Sequence, residues 1–250
     1  MELPDYSTSQ WLLAVLAGMC AGFSKAGLAG IGMLSVMLMA QLIPGKASSG
    51  AVLPLLIFAD IMAAAIFRQE ILWSHIRRLA VPVLAGIVIG SLILQPLPDT
   101  SFKPVVGWMV LGMLALQVLR QVRPVLTEGL PHSAVFLWAA GLLTGISTMV
   151  ANAAGPIATI YLLLQGLPKK EFIATMAWLF LFVNLAKVPF SLALGLMNAQ
   201  SLLLNVILMP AVVAGLLAGR WFIERLPQRP FMWIVMTFAA LSAVKLIWWP

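Results

Sequence analysis

Ser147-Thr148-Met149-Val150-Ala151-Asn152-Ala153-Ala154-Gly155-Pro156 lies in the middle of an apolar run that covers about residues 133–164. That run is longer than the roughly 20 helical residues needed to cross about 30 Å of hydrocarbon. Hydroxyls, an amide, a glycine and a proline at its centre predict a discontinuous or re-entrant segment. Such backbone is tolerated at membrane depth only where it lines a cavity. A second stretch of the same character, Gly22-Phe23-Ser24-Lys25-Ala26-Gly27-Leu28-Ala29-Gly30, interrupts the long run at about 11–40. Six further apolar runs, near 47–67, 76–95, 104–119, 172–196, 201–219 and 231–248, have the length of ordinary spans.

Working outward, the 250 residues are 62% hydrophobic and only 9% charged, with a mean hydropathy of +1.03. A soluble domain needs about 25% charged residues to wet its surface. The composition predicts an all-helical integral membrane protein, one transmembrane domain over 1–250, embedded in the lipid bilayer. The N-terminus, Met1-Glu2-Leu3-Pro4-Asp5, is acidic and lacks the basic n-region of a cleaved signal peptide, so it is expected to be retained. Cys20 is the single cysteine, and His75 and His132 stand far apart, so neither a disulfide framework nor a metal site is expected. No Ser/His/Asp grouping or phosphate-binding loop is present, and the GxxGxG order after Lys25 is not the dinucleotide fingerprint. Catalysis and a cofactor are therefore not expected. The 14 methionines read as packing or lipid-facing residues.

The two halves match. Gly18, Gly22 and Ser24 correspond to Gly141, Gly145 and Ser147 at a shift of 123 residues, and Pro44, Lys46 and Asp60 to Pro168, Lys170 and Asn184 at 124. Gly90, Leu97-Pro98 and Phe102 correspond to Gly219, Leu226-Pro227 and Phe231 at 129. This order predicts an internal duplication, repeat 1 over about 10–120 and repeat 2 over about 132–249, joined by the segment 120–132.

Lysine and arginine set the orientation. If each long run doubles back as a hairpin and three spans follow, Arg68, Arg77, Arg78, Arg120, Arg123, Lys169, Lys170, Arg220, Arg225 and Arg229 share one side. Lys46, Lys103 and Lys245 lie on the other. If both long runs cross once, the bias vanishes, so the positive-inside rule favours hairpins and accounts for the net charge of +7 without nucleic acid. A hairpin in the second run alone gives the same count, so charge does not decide whether 11–40 spans or doubles back. The duplication favours two hairpins. The fold expected is two inverted repeats, each a broken helical hairpin plus three transmembrane helices, about seven or eight helical segments in all. Trp11, Trp73, Trp221, Trp233, Trp248 and Trp249 fall near span ends as in an interfacial belt, with Trp178 deeper.

Three formal charges sit well inside apolar runs: Lys25, Asp60 and Lys187. Each costs about 2.5–3.5 kcal/mol at the bilayer centre on insertion scales, so each is expected to face a cavity or a partner. Lys25 lies roughly 20 Å deep if its run is helical. It is either an anion contact or one half of an ion pair with Asp60. Gly27, Gly30 and Gly32 let the backbone turn close to a ligand. Asn152, Gly155 and Pro156 are the matching feature of repeat 2. Pro156 suits the first position of a half-helix whose N–H groups would attract an anion, with Ser24, Ser147 and Thr148 adding hydroxyls. The bland reading is a kink relieved by hydroxyl side chains. Asn184 and Lys187 share a helix face, and Pro189 just beyond them is a candidate break. Asp60 could carry a coupling proton or stand as a permanent counter-ion to Lys25 or Lys187. The expected substrate site is thus Ser24, Lys25, Gly27, Asp60, Ser147, Thr148, Asn152, Gly155, Asn184 and Lys187.

The chain resembles the TauE/SafE family of membrane permeases. The resemblance is carried by Gly22–Gly30, Pro44, Gly50, Ala151–Pro156, Tyr161, Gly166–Lys170, Phe172, Thr175 and Asn184–Pro189, and it covers nearly the whole chain. It implies export of sulfite or an organosulfonate across the cytoplasmic membrane. Alternating access of an inverted-repeat secondary transporter would then hold a small anion near the midplane. Export of an anion from a cell negative inside is electrically downhill, so a uniporter suffices. A homodimer is among the assemblies the sequence allows. The rival expectations are a transporter or channel for a carboxylate or metal cation, and a membrane scaffold that moves nothing; paired intramembrane lysines argue against a cation.

Overall fold

The computed structural model describes residues 6–28, 31–43, 50–94 and 133–248, with positions 108, 111–112, 114–115 and 118–119. Most of the 104–119 run, the 120–132 connection, the N-terminal five residues, Gly30, Pro44, Lys46, Leu97-Pro98, Phe102, Lys103 and Trp249 lie outside them, as does the side chain of Lys245.

Asn152 makes the break in the second long run. Its backbone is left-handed (φ 50°, ψ 31°), a conformation asparagine tolerates better than other β-carbon-bearing residues. The Asn152 and Ala153 N–H groups donate to the Thr148 and Ser147 carbonyls at 3.1 and 3.2 Å. The chain stops one helix there and starts another within two residues. Both long runs are split in this way. The described residues form nine helices: α1 (Thr8–Ser24), α2 (Gly32–Leu42), α3 (Leu53–Ile66), α4 (Trp73–Leu94), α5 (Ala134–Ala151), α6 (Ala154–Leu164), α7 (Lys169–Ala193), α8 (Ala199–Glu224) and α9 (Gln228–Trp248). Each long run counts twice, and with the 104–119 run mostly outside the described residues the seven or eight segments expected come to nine. Among the described residues α4, α7 and α8 are long and apolar enough to cross a membrane.

Two details differ from expectation. Pro156 is the third residue of α6 rather than the first, still within the turn whose N–H groups have no helical partner. Helix α7 continues through Pro189 to Ala193, so the proline does not break it.

Glycines set the packing. A β-carbon on Gly22 of α1 would overlap the Val212 carbonyl of α8, and one on Gly145 of α5 would overlap the Val83 carbonyl of α4. Gly215 of α8 meets the Met19 carbonyl in the same way that Gly86 of α4 meets that of Leu142. Gly219 lies against Phe23 and Ala26, and Gly90 against Ile146 and Met149. Every residue of the first set maps onto the second at shifts of 123 and 129, the shifts that relate the two halves of the sequence. In both pairs the contacts advance together along the two helices, so α1 runs parallel to α8 and α4 parallel to α5.

Directions follow from single contacts. Lys169, at the start of α7, donates from Nζ to the Ile223 carbonyl at 2.9 Å and to that of Leu226, so α7 begins where α8 ends. The Leu72 N–H reaches Thr175 Oγ1 at 3.1 Å and the Trp73 and Trp178 rings meet edge-on at 5.1 Å, so α4 begins at that same end. The sequence-related helices α4 and α8 therefore run in opposite directions. So do α3 and α7, where Asp60 meets Asn184 and, farther along, Ala63 clusters with Ala177. Phe136 stacks on Tyr161, with ring centroids 5.9 Å apart, which folds α6 back along α5. Tyr6 and Trp11 share an apolar cluster with Leu42 and Ile43, and Ser24 meets Gly32, so α1 and α2 also form a hairpin. The first run doubles back on itself.

The α5–α6 hairpin enters beside Lys169, Lys170, Arg220 and Arg225, and the α1–α2 hairpin enters from the opposite end. Their tips meet in the middle.

Candidate functional site

Three helices that start at the ends of the bundle, α1, α5 and α8, carry polar caps, while α3 and α7 start without one. Ser7 and Gln10 close a capping box on α1, Ser133 accepts from the Phe136 N–H on α5, and Asn198 and Ser201 close another on α8. The two half-helices that start in mid-bundle, α2 and α6, have no side-chain cap. Gly32, the first residue of α2, and Gly155, the second of α6 (equivalent at the 123-residue shift), both line a cavity of about 50 Å³ between the hairpin tips. One buried water needs roughly 10–15 Å³ on the same measure, so the space admits a solute of a few heavy atoms. Uncapped helix starts present N–H groups and the positive end of the helix dipole.

Lys25 caps the C-terminus of α1 and lines the cavity. Its Nζ lies 2.8 Å from Asp60 Oδ1 and 4.7 Å from the centre of the Phe180 ring. Asp60, fully buried on α3, also accepts from Asn184 Nδ2 at 2.6 Å. Asp60 and Asn184 are themselves equivalent at the 124-residue shift, so the acid of one repeat is bonded to the amide that replaces it in the other. Lys187, one turn beyond Asn184 on α7, is also buried and turns to the second hairpin. Its Nζ donates to the Thr148 carbonyl at 2.8 Å and to Asn152 Oδ1. It thus pins the left-handed turn to α7. Lys25 and Thr148 correspond at the 123-residue shift, so each hairpin tip is tied to a long helix through the same position.

Of the ten residues expected at the site, Ser24, Lys25, Gly27, Thr148, Asn152, Gly155 and Asn184 line the cavity. Asp60 stands behind Lys25 and Asn184, and Lys187 behind Thr148 and Asn152. Ser147 turns its hydroxyl back to the Thr144 carbonyl at 3.2 Å. Ser24 does likewise to Ala21 at 2.7 Å, though it still borders the space. Gly27 needs its glycine: φ is +110° and a β-carbon would press on Ile173. Gly32, Val36, Leu56, Ala154, Met176, Ala177 and Phe180 complete the lining, none of them among the ten. Phe180 was readable as the residue one turn before Asn184 on the same face, and Gly32 as the counterpart of Gly155.

Replacing Asn152 by alanine removes an acceptor of Lys187 and keeps a β-carbon in left-handed backbone. It is expected to cost about 1–3 kcal/mol, while Asn152→Gly costs less, because glycine relieves the backbone part. Thermal unfolding of the purified variants measures the difference.

The sequence model described as "Sulfite exporter TauE/SafE" matches residues 14–246. The chain belongs to the TauE/SafE family. TauE/SafE proteins are membrane transporters rather than enzymes, and the match spans both hairpins and every residue of the cavity. No curated protein and no solved structure matches the chain. In this TauE/SafE chain Lys25, Asn184 and the starts of two uncapped half-helices face the cavity.

Proposed function

We propose that this protein exports sulfite or a related organosulfonate across the cytoplasmic membrane as a multi-pass secondary transporter. In this reading repeat 1 (about 10–120) and repeat 2 (about 132–249) alternate about a site at the hairpin tips. The observation that carries it is the meeting of two oppositely directed half-helix starts beside Lys25, in a chain of a sulfite-exporter family. The end bearing Lys169, Lys170, Arg220 and Arg225 faces the cytoplasm by the positive-inside rule. Lys25, Thr148, Asn152, Gly155 and Asn184 contact the anion, with Ser24 and Gly27 shaping the cavity. The membrane potential supplies the driving force, since a negative ion leaves a cell that is negative inside.

Sulfite or a sulfonate is expected to raise the melting temperature of the detergent-purified protein. A ligand at about 100 times its Kd adds roughly 2.7 kcal/mol to the folded state. In Lys25→Ala the stabilisation disappears, and so does export from loaded proteoliposomes. Unchanged export in Lys25→Ala would reject the site, and the absence of any sulfite or sulfonate movement would reject the function.

A further inference from the structure

Among the described side chains, three ionisable groups occupy the interior where the hairpin tips meet: Lys25 at the end of α1, Asp60 on α3 and Lys187 on α7. The other elements around the cavity add none. Helices α2 and α5 contain no ionisable residue, α6 contributes only Tyr161 at its far end, and the charges of α8 lie in its last turns. Asp60 is fully engaged by Lys25 and Asn184. Among the described residues Lys187 is met only by neutral acceptors, the Thr148 carbonyl and hydroxyl and the Asn152 amide oxygen. Counted among the described side chains with each group in its ordinary charged form, two cations and one anion leave one positive charge over. A buried charge is costly until it is paired, and a second charge of the opposite sign would be costly in turn. One negative charge in the cavity restores neutrality, whereas two overshoot it.

We propose that the site accepts its sulfur oxyanion only as a singly charged species, hydrogensulfite or an organosulfonate, and excludes the sulfite dianion and sulfate. The inference rests on the exporter reading above and narrows it. It also gives Asp60 a role: a permanent counter-ion that holds Lys25 and Asn184 and sets the charge accepted. Any proton that crosses travels on the substrate.

The test is thermal stabilisation of the full-length purified protein by sodium sulfite, methanesulfonate and sulfate, from mildly acidic to mildly alkaline pH. The apparent affinity for total sulfite should fall up to about tenfold per pH unit above the second ionisation of sulfurous acid. Methanesulfonate, singly charged throughout, should bind with no such slope, and sulfate should not compete. Asp60→Asn, which keeps the side-chain shape but removes the negative charge, should gain sulfate binding; if that variant fails to fold, the wild-type titration decides alone. Sulfite binding that holds or strengthens with rising pH, sulfate competing as well as methanesulfonate, or a parallel loss for methanesulfonate would overturn the inference and leave the exporter reading intact. No stabilisation by any of the three would overturn both.

Discussion

Asp60→Ala is expected to abolish the proposed sulfite export and to lower the stability of the purified protein by about 3–5 kcal/mol, the usual cost of removing one partner of a buried ion pair. The carboxylate is fully buried and holds two donors, Lys25 at 2.8 Å and Asn184 at 2.6 Å. Its loss strands the ammonium group beside the Phe180 ring and leaves the Asn184 amide without its acceptor. Adding Lys25→Met to Asp60→Ala should recover most of the stability, because replacing both members of a buried pair by apolar groups is often neutral. Export should not return. The cycle of two single variants and the double variant, read by chemical or thermal unfolding, isolates the coupling energy. Equal losses in the double and the Asp60→Ala single variant would show that the pair does not act as drawn.

Gly145→Val is expected to prevent correct assembly, a loss above about 4 kcal/mol and of the class reserved for steric disruption of a packed interface. The added β-carbon would fall on the Val83 carbonyl and within 2.7 Å of the Ile87 nitrogen, both backbone atoms, so only separation of α4 from α5 makes room. Gly22→Val should behave the same way at the equivalent contact with Val212, whereas Gly18→Ala meets the Ala211 side chain at 3.1 Å and the Leu208 carbonyl at an ordinary 3.4 Å and should be mild. Yield of monodisperse protein and its melting temperature distinguish the three. A folded Gly145→Val beside a misfolded Gly18→Ala would refute the packing described.

Much of this was legible from residue types alone. A chain with so few charges has to lie in lipid, and the polar interruptions at Ser24-Lys25 and Ser147–Pro156 mark backbone that has to be covered. The ion pair of Lys25 with Asp60 was one of two pairings that the three intramembrane charges allowed. Charge counting could not separate a hairpin from a span at 11–40, because nothing basic precedes Ser24. Packing decided it, through Tyr6 and Trp11 beside Leu42 and Ile43. The partner of Lys187 was hidden because its main acceptor is a backbone carbonyl, which every residue possesses. Residue type allows Asn152 either to cap a helix or to turn the chain, since asparagine serves both uses with the same side chain, and the left-handed backbone shows the turn.

The pairing of α1 with α8 has a bearing on how the chain is made. Gly22 leaves the ribosome about 190 residues before Val212. At 5–20 residues per second the interval is roughly 10–40 s. Throughout it the glycine-lined face of α1 has no permanent neighbour, whereas α4 and α5, closer in sequence, close against each other first. Synthesis therefore builds the second hairpin onto its cradle early and leaves the first hairpin without its cradle until α8 arrives. The site that needs both tips comes into being only after α8 has been made.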